Sequence, residues 1–454
     1  MGADSAPIEK VATGKNQAQP NLSAADNRML DEIQKAQFEY FKQESDPITG
    51  LTKDRSTDDS PSSIAATGFS LTAYGVAADH GWVSRDQAAD YTLKVLNTLS
   101  STPQGGQATG ESGNHGFFYH FLDPHSGLRA PGKDEISTVD TALLMSGILY
   151  AKNYFNGKDA KEAKIRDLSE KLYDRVDWNW PMDKDGFISM GWLPESGFIK
   201  TDWRAYNEAP IMMIMGMGSP THPLPAKAWD TYMSTATVSQ AYGHKHLSFG
   251  PLFGHQFPQV WLDFRGTMDA TSKKMGMCYF HNSRQATLAQ HDYAVDNPNG
   301  FRGYGAVDWG LTASDGPADI TKSVDGHNLD FHSYAARGFP DALDDGTISP
   351  SAVAASLPFA PEIVMPTLRH WMQDRPEIFG PLGFKDAFNP TFDKSKPSGW
   401  VDPDCLGIDQ GPILLMLENY RNGSVWRVMG KDDHLNTGLK KAGFTAQSDD
   451  LDKP

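Results

Sequence analysis

Three acidic residues stand immediately before runs of apolar sequence, where a charge needs a reason. Glu208 lies in Trp203-Arg204-Ala205-Tyr206-Asn207-Glu208-Ala209-Pro210, directly ahead of IMMIMGMG. Asp140 follows Ser137 and precedes TALLMSGILY, and Asp409 lies in GIDQGP ahead of ILLMLENY. Each position has two readings. An acid in the first turn of a helix is favoured by the helix dipole, and Asp140 could also close a capping box on Ser137. Alternatively, apolar surroundings raise a carboxyl's pKa until it can act as an acid near neutrality. If the helix starts converge, the acids face each other across one cleft. A carboxyl pair, one protonated to assist a leaving oxygen and one ionised to activate water or attack, is what glycoside hydrolysis requires.

Other chemistries have less support. There is no G-x-S-x-G nucleophile elbow, no P-loop and no dinucleotide fingerprint, which sets aside serine-hydrolase and nucleotide readings. The histidine groups His115/His120/His125, His244/His246/His255 and His281/His291 offer a metal alternative. None has zinc-ligand spacing, so no metal and no cofactor is expected, and these histidines read as hydrogen-bonding loop residues. A net charge of −16, from 41 basic and 57 acidic side chains, argues against a nucleic-acid partner. The 23 Phe, 15 Tyr and 11 Trp suit a carbohydrate cleft, because the C–H faces of sugars lie against aromatic rings. Trp178, Trp180, Trp192 and Trp203 crowd the stretch leading into Tyr206 and Glu208. They read either as a binding loop or as the packing of that loop.

These residues need helices to position them. Apolar periodicity near 3.6 predicts helices at about 24–43, 64–80, 84–100, 137–155, 160–176 and 205–216. Further helices are predicted at about 224–233, 256–264, 271–295, 351–373, 408–421 and 433–442. Ser84 with Gln87, and Ser137 with Asp140, carry start signals. The long connections 44–63, 101–136, 177–204 and 297–350 are rich in Gly, Pro, Asp, Trp and Phe, and read as ordered loops. Gly116–Asp123 and Leu247–Phe253 are candidates for short β ribbons. A mainly α fold follows: an (α/α)6 toroid of about six helical hairpins accounts for about twelve helices, with an irregular helical bundle as the alternative. The domain reading is a disordered leader at 1–23, one catalytic domain at 24–445 and a loose tail at 446–454. No apolar run approaches the ~18 residues of a membrane span, and Cys278 and Cys405 show no metal-ligand spacing.

At these motifs the chain resembles glycoside hydrolase family 144, the bacterial β-1,2-glucanases with a glycoamylase-like domain. The resemblance rests on TGLTKDRS (49–56), GFFYHFLD (116–123), EISTVDTALLMSGIL (135–149) and YNEAPIM (206–212). It continues through GPLFGHQFPQVWLDFRG (250–266), WGLTASDGP (309–317), DDGTISPSAVAASLPFAPEI (344–363) and GIDQGPILLMLENYR (407–421). It implies the (α/α)6 toroid and hydrolysis of linear or cyclic β-1,2-glucan with inversion and no metal. Glu208 takes the place of the proton donor, Asp409 that of the base, and Asp140 that of a supporting cleft carboxylate. Direct contact between Glu208 and the glycosidic oxygen is not required, since in related enzymes the proton can pass through a sugar hydroxyl or a water chain. The cleft is further expected to include Asp54, Arg55, His115, Trp192, Tyr206, His255, Gln259, Trp309 and Asp315. Glu362 is expected to lock a helix start. Family members either cut within chains or release sophorose from a chain end, and internal cutting is the primary expectation. A glucan-binding protein without catalysis is the alternative from another class. The substrate implies a periplasmic or secreted monomer whose signal peptide is not in this chain.

Overall fold

The computed structural model describes residues 20–132 and 134–447. Residues 1–19 of the expected leader and 448–454 of the expected tail lie outside them. In chain order the helices are α1 (Ala24–Gln43), α2 (Ile64–Asp79), α3 (Arg85–Ser101), α4 (Thr138–Tyr154), α5 (Ala160–Asp174), α6 (Pro210–Gly218), α7 (Ala228–Met233) and α8 (Phe253–Trp261). They continue with α9 (Ala270–Met275), α10 (Tyr279–Asp296), α11 (Pro350–Ala354), α12 (Pro361–Asp374), α13 (Gly407–Arg421), α14 (Ser424–Met429) and α15 (Asp433–Lys441).

Two kinds of helix are present. α2, α4, α6, α8, α11 and α13 are buried on nearly every side, as their almost unbroken apolar sequences require. α1, α3, α5, α10, α12 and α15 bury one face and give the other to water. Each of these covers an inner helix: α1 lies on α2 and α13, α3 on α2, α5 on α4, α15 on α6, α10 on α8, and α12 on α11. Within the inner layer α13 touches α2, α8 and α11, and α4 touches α2 and α6.

Glycines set the tightest crossing. A Cβ on Gly147 of α4 would lie 2.0 Å from the carbonyl oxygen of Gly68 on α2, and one on Gly68 would lie 2.4 Å from that of Leu143. The two backbones are therefore in direct contact. Gly218 of α6 and Gly438 of α15 repeat the device, with a Cβ on Gly438 falling 1.9 Å from the Ile214 oxygen.

Several predicted elements are revised. The span 271–295 is two helices, because Gly276 turns left-handed at φ 77° and α10 starts afresh after Cys278. The span 351–373 is also two, interrupted where Pro358 and Pro361 break the helical ladder. The helix expected from 205 begins only at Pro210, since Ala205 is left-handed at φ 60°. α14, entered through left-handed Gly423, is additional. The Ser84–Gln87 capping box is present on α3.

Strands are short and confined to connections. GFFYHFLD supplies Phe117–Phe118 and Phe121–Leu122, the latter pairing with Ser62–Ser63 at the start of α2. Leu247 ends a strand, His244–Leu247, that pairs back onto Val238–Ala241, and 248–252 is not extended into it. A hairpin of Ile320–Val324 and His327–Phe331 was not foreseen. Among the described residues no helix is long and apolar enough to cross a membrane. Both cysteines are buried and unpaired by disulfide.

Candidate active site

The starts of α4, α8, α11 and α13, with the segment entering α6, open on one cavity of about 390 Å³. Its polar lining includes Asp54, Arg55, His120, Asp140, Glu208, Asp386 and Asp409. Its aromatic lining is Phe121, Phe253, Phe257 and Tyr334. Acids from far apart in the chain thus meet in a space partly walled by rings.

Asp140 is placed by the cap of α4. The Ser137 hydroxyl accepts the Asp140 N–H at 3.2 Å and donates to Asp140 Oδ2 at 2.5 Å. On its other side His120 Nε2 stands 3.5 Å from the same oxygen, while His120 Nδ1 is 3.4 Å from Glu135. Burial opposes a charge on this ring, but the carboxylates of Asp140 and Glu135 outweigh it and raise His120 to about 9. The ring is therefore a cation at neutral pH.

Glu208 sits just outside α6, on a turn that Asn207 holds. The Asn207 side-chain oxygen accepts the Ala209 N–H at 3.0 Å and the Tyr232 hydroxyl at 2.8 Å. Glu208 Oε2 is enclosed and has no hydrogen-bond donor among the described residues. Burial first, and the nearby Asp140 charge second, push this carboxyl up to about 8, against the opposing pull of its own backbone N–H.

Asp409 occupies the first turn of α13 and is 6% exposed. Burial lifts it to about 6, with hydrogen bonds from Asp386 and Ser351 holding it lower than burial alone would. Asp386 is 1% exposed, and burial together with the neighbouring Asp409 raises its carboxyl well above the ordinary carboxylate range. The site thus holds three carboxyls in three electrostatic conditions.

Arg55 ties the wall together. Its guanidinium is 2.7 Å from Asp315, 3.3 Å from Asp54 and 3.8 Å from Asp404. The Asp54 carbonyl accepts the Gly407 N–H at 2.8 Å, and the Ser56 hydroxyl reaches Asp404 at 3.1 Å. The segment before α2 is thereby sewn to the segment before α13. A second guanidinium, Arg337, is fully buried against Asp345 at 2.7 Å. It also donates to the carbonyls of Ser314, Asp315 and His332 at 2.7, 3.3 and 2.9 Å. One side chain thus fixes the segments that carry Asp315 and Tyr334, which flank the paired strands Ala313–Ser314 and Ala335–Ala336.

Of the residues expected in the cleft, Asp54, Arg55, Asp140, Glu208 and Asp409 are brought together at the cavity. Asp315 joins them through Arg55. Tyr206 lies behind it, 3% exposed and stacked on Tyr279. His115 and Trp192 lie outside the cavity lining, each packed on Trp180. His255, Gln259 and Trp309 are corrections: all three are core residues, with the His255 ring, the Gln259 amide nitrogen and the Trp309 N–H engaged there. His255 Nε2 meets the Phe249 carbonyl at 3.0 Å, and burial pushes the ring down to about 3. Gln259 donates to His255, Tyr279 and Ser283, and the Trp309 N–H to Thr367 at 2.9 Å.

The tryptophan-rich loop is likewise structural. Trp178 is in the core, and Trp203 donates to Thr138 Oγ1 at 2.9 Å, bracing the start of α4. The first histidine group does not gather, for His115, His120 and His125 each face a different carboxylate partner; in the second, the His246 and His255 rings lie 6.1 Å apart, buried together in the core. Glu362 does lie in the first turn of α12, paired with Arg284 at 2.6 Å. Sequence reasoning missed Asp386, His120, Phe121, Phe253, Phe257 and Tyr334 as lining residues. The two His120 neighbours, Tyr119 and Phe121, were the only hint of an aromatic wall in that motif.

Comparison with known proteins adds the following. A family model named Glycoamylase, described as "Putative glucoamylase", matches residues 200–433. A crystal structure from Bacteroides uniformis bearing that same description is 31% identical, covering 94% of this chain and 99% of its own, with a TM-score of 0.82. An endo-β-1,2-glucanase from Chitinophaga pinensis, solved with sophorotriose and glucose, is 27% identical, covering 94% of this chain and 99% of its own, with a TM-score of 0.81. A curated exo β-1,2-glucooligosaccharide sophorohydrolase (non-reducing end) from Parabacteroides distasonis is 26% identical over 450 residues, which is 92% of this chain. This chain spans 58% of that relative's length.

Proposed function

Because the chain belongs to the glycoamylase family, of the glycoside hydrolase family 144 type, we propose that it hydrolyses β-1,2-glucan to short β-1,2-gluco-oligosaccharides. The observation that carries this reading is the unequal pair in one cavity: Glu208 held protonated up to about 8 and Asp409 ionised above about 6. Two carboxyls in opposite protonation states at neutral pH are the acid and the base of glycoside hydrolysis.

Glu208 gives its proton to the departing glycosidic oxygen, directly or through a hydroxyl or water. Asp409 takes a proton from water as the water oxygen bonds to the anomeric carbon on the face opposite the leaving group, so the configuration inverts. Asp140 and cationic His120 fix the electrostatics beside Glu208, and Asp54, Arg55 and Asp315 hold sugar hydroxyls. Phe121, Phe253, Phe257 and Tyr334 supply apolar faces for glucose rings. The inner and outer helices form the (α/α)6 toroid that presents these groups at one mouth. The enzyme works outside the cytoplasm, as a monomer and without a metal.

The test is incubation with linear β-1,2-glucan, following products and the anomer by NMR. Internal cutting gives a ladder of short oligosaccharides of inverted configuration. Absence of product from every β-1,2-linked substrate overturns the reading. Release of sophorose alone supports chain-end action, the second reading, which the Parabacteroides relative favours.

A further inference from the structure

We propose that Asp386 and Asp409 hold one proton between them, resident on Asp386 Oδ1, and that this hydrogen bond positions Asp409 as the ionised base. The inference rests on the assignment of Asp409 as the base and adds to it a residue that no sequence motif singled out.

The hydrogen-bond inventory of the two carboxyls carries the argument. Asp386 Oδ2 accepts the backbone N–H of Asp315 at 2.6 Å, so this oxygen is the unprotonated one. Asp386 Oδ1 and Asp409 Oδ2 are both buried, and neither has an N–H or hydroxyl donor among the described residues. Yet the two carboxyls are within hydrogen-bonding reach of each other. Two neighbouring buried carboxyls, each with an oxygen left without a donor, repel if both are ionised; a single proton between them supplies the donor and removes one charge. Two sharing carboxyls titrate as a unit, and only one ionises readily.

Position decides which partner keeps the proton. The oxygens of Asp386, Asp315 and Asp402 lie within 4.8 Å of one another, so a charge on Asp386 would face two more. Arg55 pairs with Asp54, Asp315 and Asp404, and makes no bond to Asp386. Asp409 sits instead in the first turn of α13, where the helix dipole favours an anion. The titratable groups around the pair are Asp54, Arg55, Asp315, Lys385, Asp402, Asp404, Cys405 and Tyr334. Of the two cations, Arg55 is held by Asp54, Asp315 and Asp404 and Lys385 bonds the Pro403 carbonyl, while the remaining groups add negative charge or none, which favours a neutral Asp386.

In turnover the Asp386 proton stays in place. The water proton goes to Asp409, the water oxygen bonds to the anomeric carbon, and the glycosidic C–O bond breaks as the Glu208 proton reaches the leaving oxygen. The pair then carries two protons and Glu208 none, and exchange with solvent restores the start.

The test compares Asp386→Asn with Asp386→Ala. The asparagine keeps both contacts: its oxygen accepts the Asp315 N–H and its amide donates to Asp409. Asp386→Asn is expected to keep turnover within about tenfold of wild type, with the acid limb of the kcat/KM profile unmoved. Asp386→Ala is expected to lose about 100-fold or more in kcat, to shift that limb to higher pH, and to change KM by less than about threefold. Infrared spectra in a Glu208→Gln background, which removes that residue's own acid signal, should show a carboxylic-acid C=O band at neutral pH that disappears on adding Asp386→Asn. If Asp386→Asn is as inactive as Asp409→Asn, or if the band persists, the proposal is overturned. Turnover of Asp409→Asn at the wild-type rate overturns the base assignment instead, a failure that leaves the infrared result unchanged and is thereby told apart.

Discussion

A carboxyl lifted from its ordinary 4.5 to about 8 keeps its proton through the neutral range, and Glu208 is such a group. Asp409, lifted only to about 6, has lost its own by then. The kcat/KM profile on β-1,2-glucan should therefore be bell-shaped, falling below about pH 6 and above about pH 8. A profile flat across this window would contradict the assignment of acid and base. Stability carries the same signature. Because folding raises the Glu208 pKa, the folded chain binds more protons than the unfolded one between about 4.5 and about 8, and the group's contribution falls as pH climbs through that window. Glu208→Gln removes the dependence. Its urea midpoint should gain on wild type as pH rises from about 5 to about 8 and gain nothing further above, while turnover drops by orders of magnitude. The acids that open apolar runs were legible in sequence because the contrast with their neighbours is local. Asp386, in Phe384-Lys385-Asp386-Ala387-Phe388, has no such contrast, and only the contact with a residue of α13 gives it meaning. His255 and Gln259 misled for the converse reason: a polar residue whose ring or amide nitrogen bonds backbone carbonyls in the core has the same letters as one facing a sugar.

At the scale of elements, α2 and α4 depend on a contact only glycine permits. Gly147→Ala would drive a methyl into the Gly68 carbonyl, and the helices would have to part. A loss of about 1–3 kcal/mol is expected from urea unfolding, with residual activity tracking the folded fraction. Arg337 is the equivalent point in the loops. Arg337→Met leaves Asp345 charged and buried, at a cost of about 3–5 kcal/mol, and frees the segments bearing Asp315 and Tyr334. A raised KM should accompany the lower midpoint; an unchanged KM would mean Tyr334 does not touch the glucan. Helices were recognisable by periodic apolar sequence, and the starts of α3 and α4 by Ser84 and Ser137. Their lengths were less so. Left-handed Gly276 and the Pro358/Pro361 pair interrupt runs whose periodicity continues across the break. The hairpin of Ile320–Val324 and His327–Phe331 was hidden because its outward faces carry ordinary polar residues.

Taken as a whole, the molecule assembles its cavity from residues as separated as Asp54 and Asp409, with α4, the turn before α6, α8 and α11 contributing between them. No one element holds the site alone. Loss of turnover on β-1,2-glucan and change of tryptophan fluorescence in urea should therefore coincide in one transition, since Trp178, Trp229 and Trp261 are buried in one apolar cluster and Trp309 and Trp371 in the other, so that the signal reports both. Activity lost at clearly lower urea would show that the mouth opens ahead of the core. The mainly helical character of the fold was readable from the recurrence of apolar periodicity near 3.6. Which helices stand inside, and which ends share a mouth, depends on pairings between distant segments that periodicity does not encode.

The seam between the segment before α2 and the segment before α13 has a bearing on how the molecule comes into being. Ser56 and Asp404, bonded across it, are 348 residues apart. Closing so large a loop forfeits chain entropy before any contact repays it, and such non-local pairings form late. On the ribosome, the helices from α1 to α12 can be made and can begin to pack while the wall of the vault still gapes beside α2. Activity is then a late acquisition of the nascent chain, arriving no earlier than α13, which carries Asp409 and draws the gap shut, and before α14 and α15 complete the packing on α4 and α6.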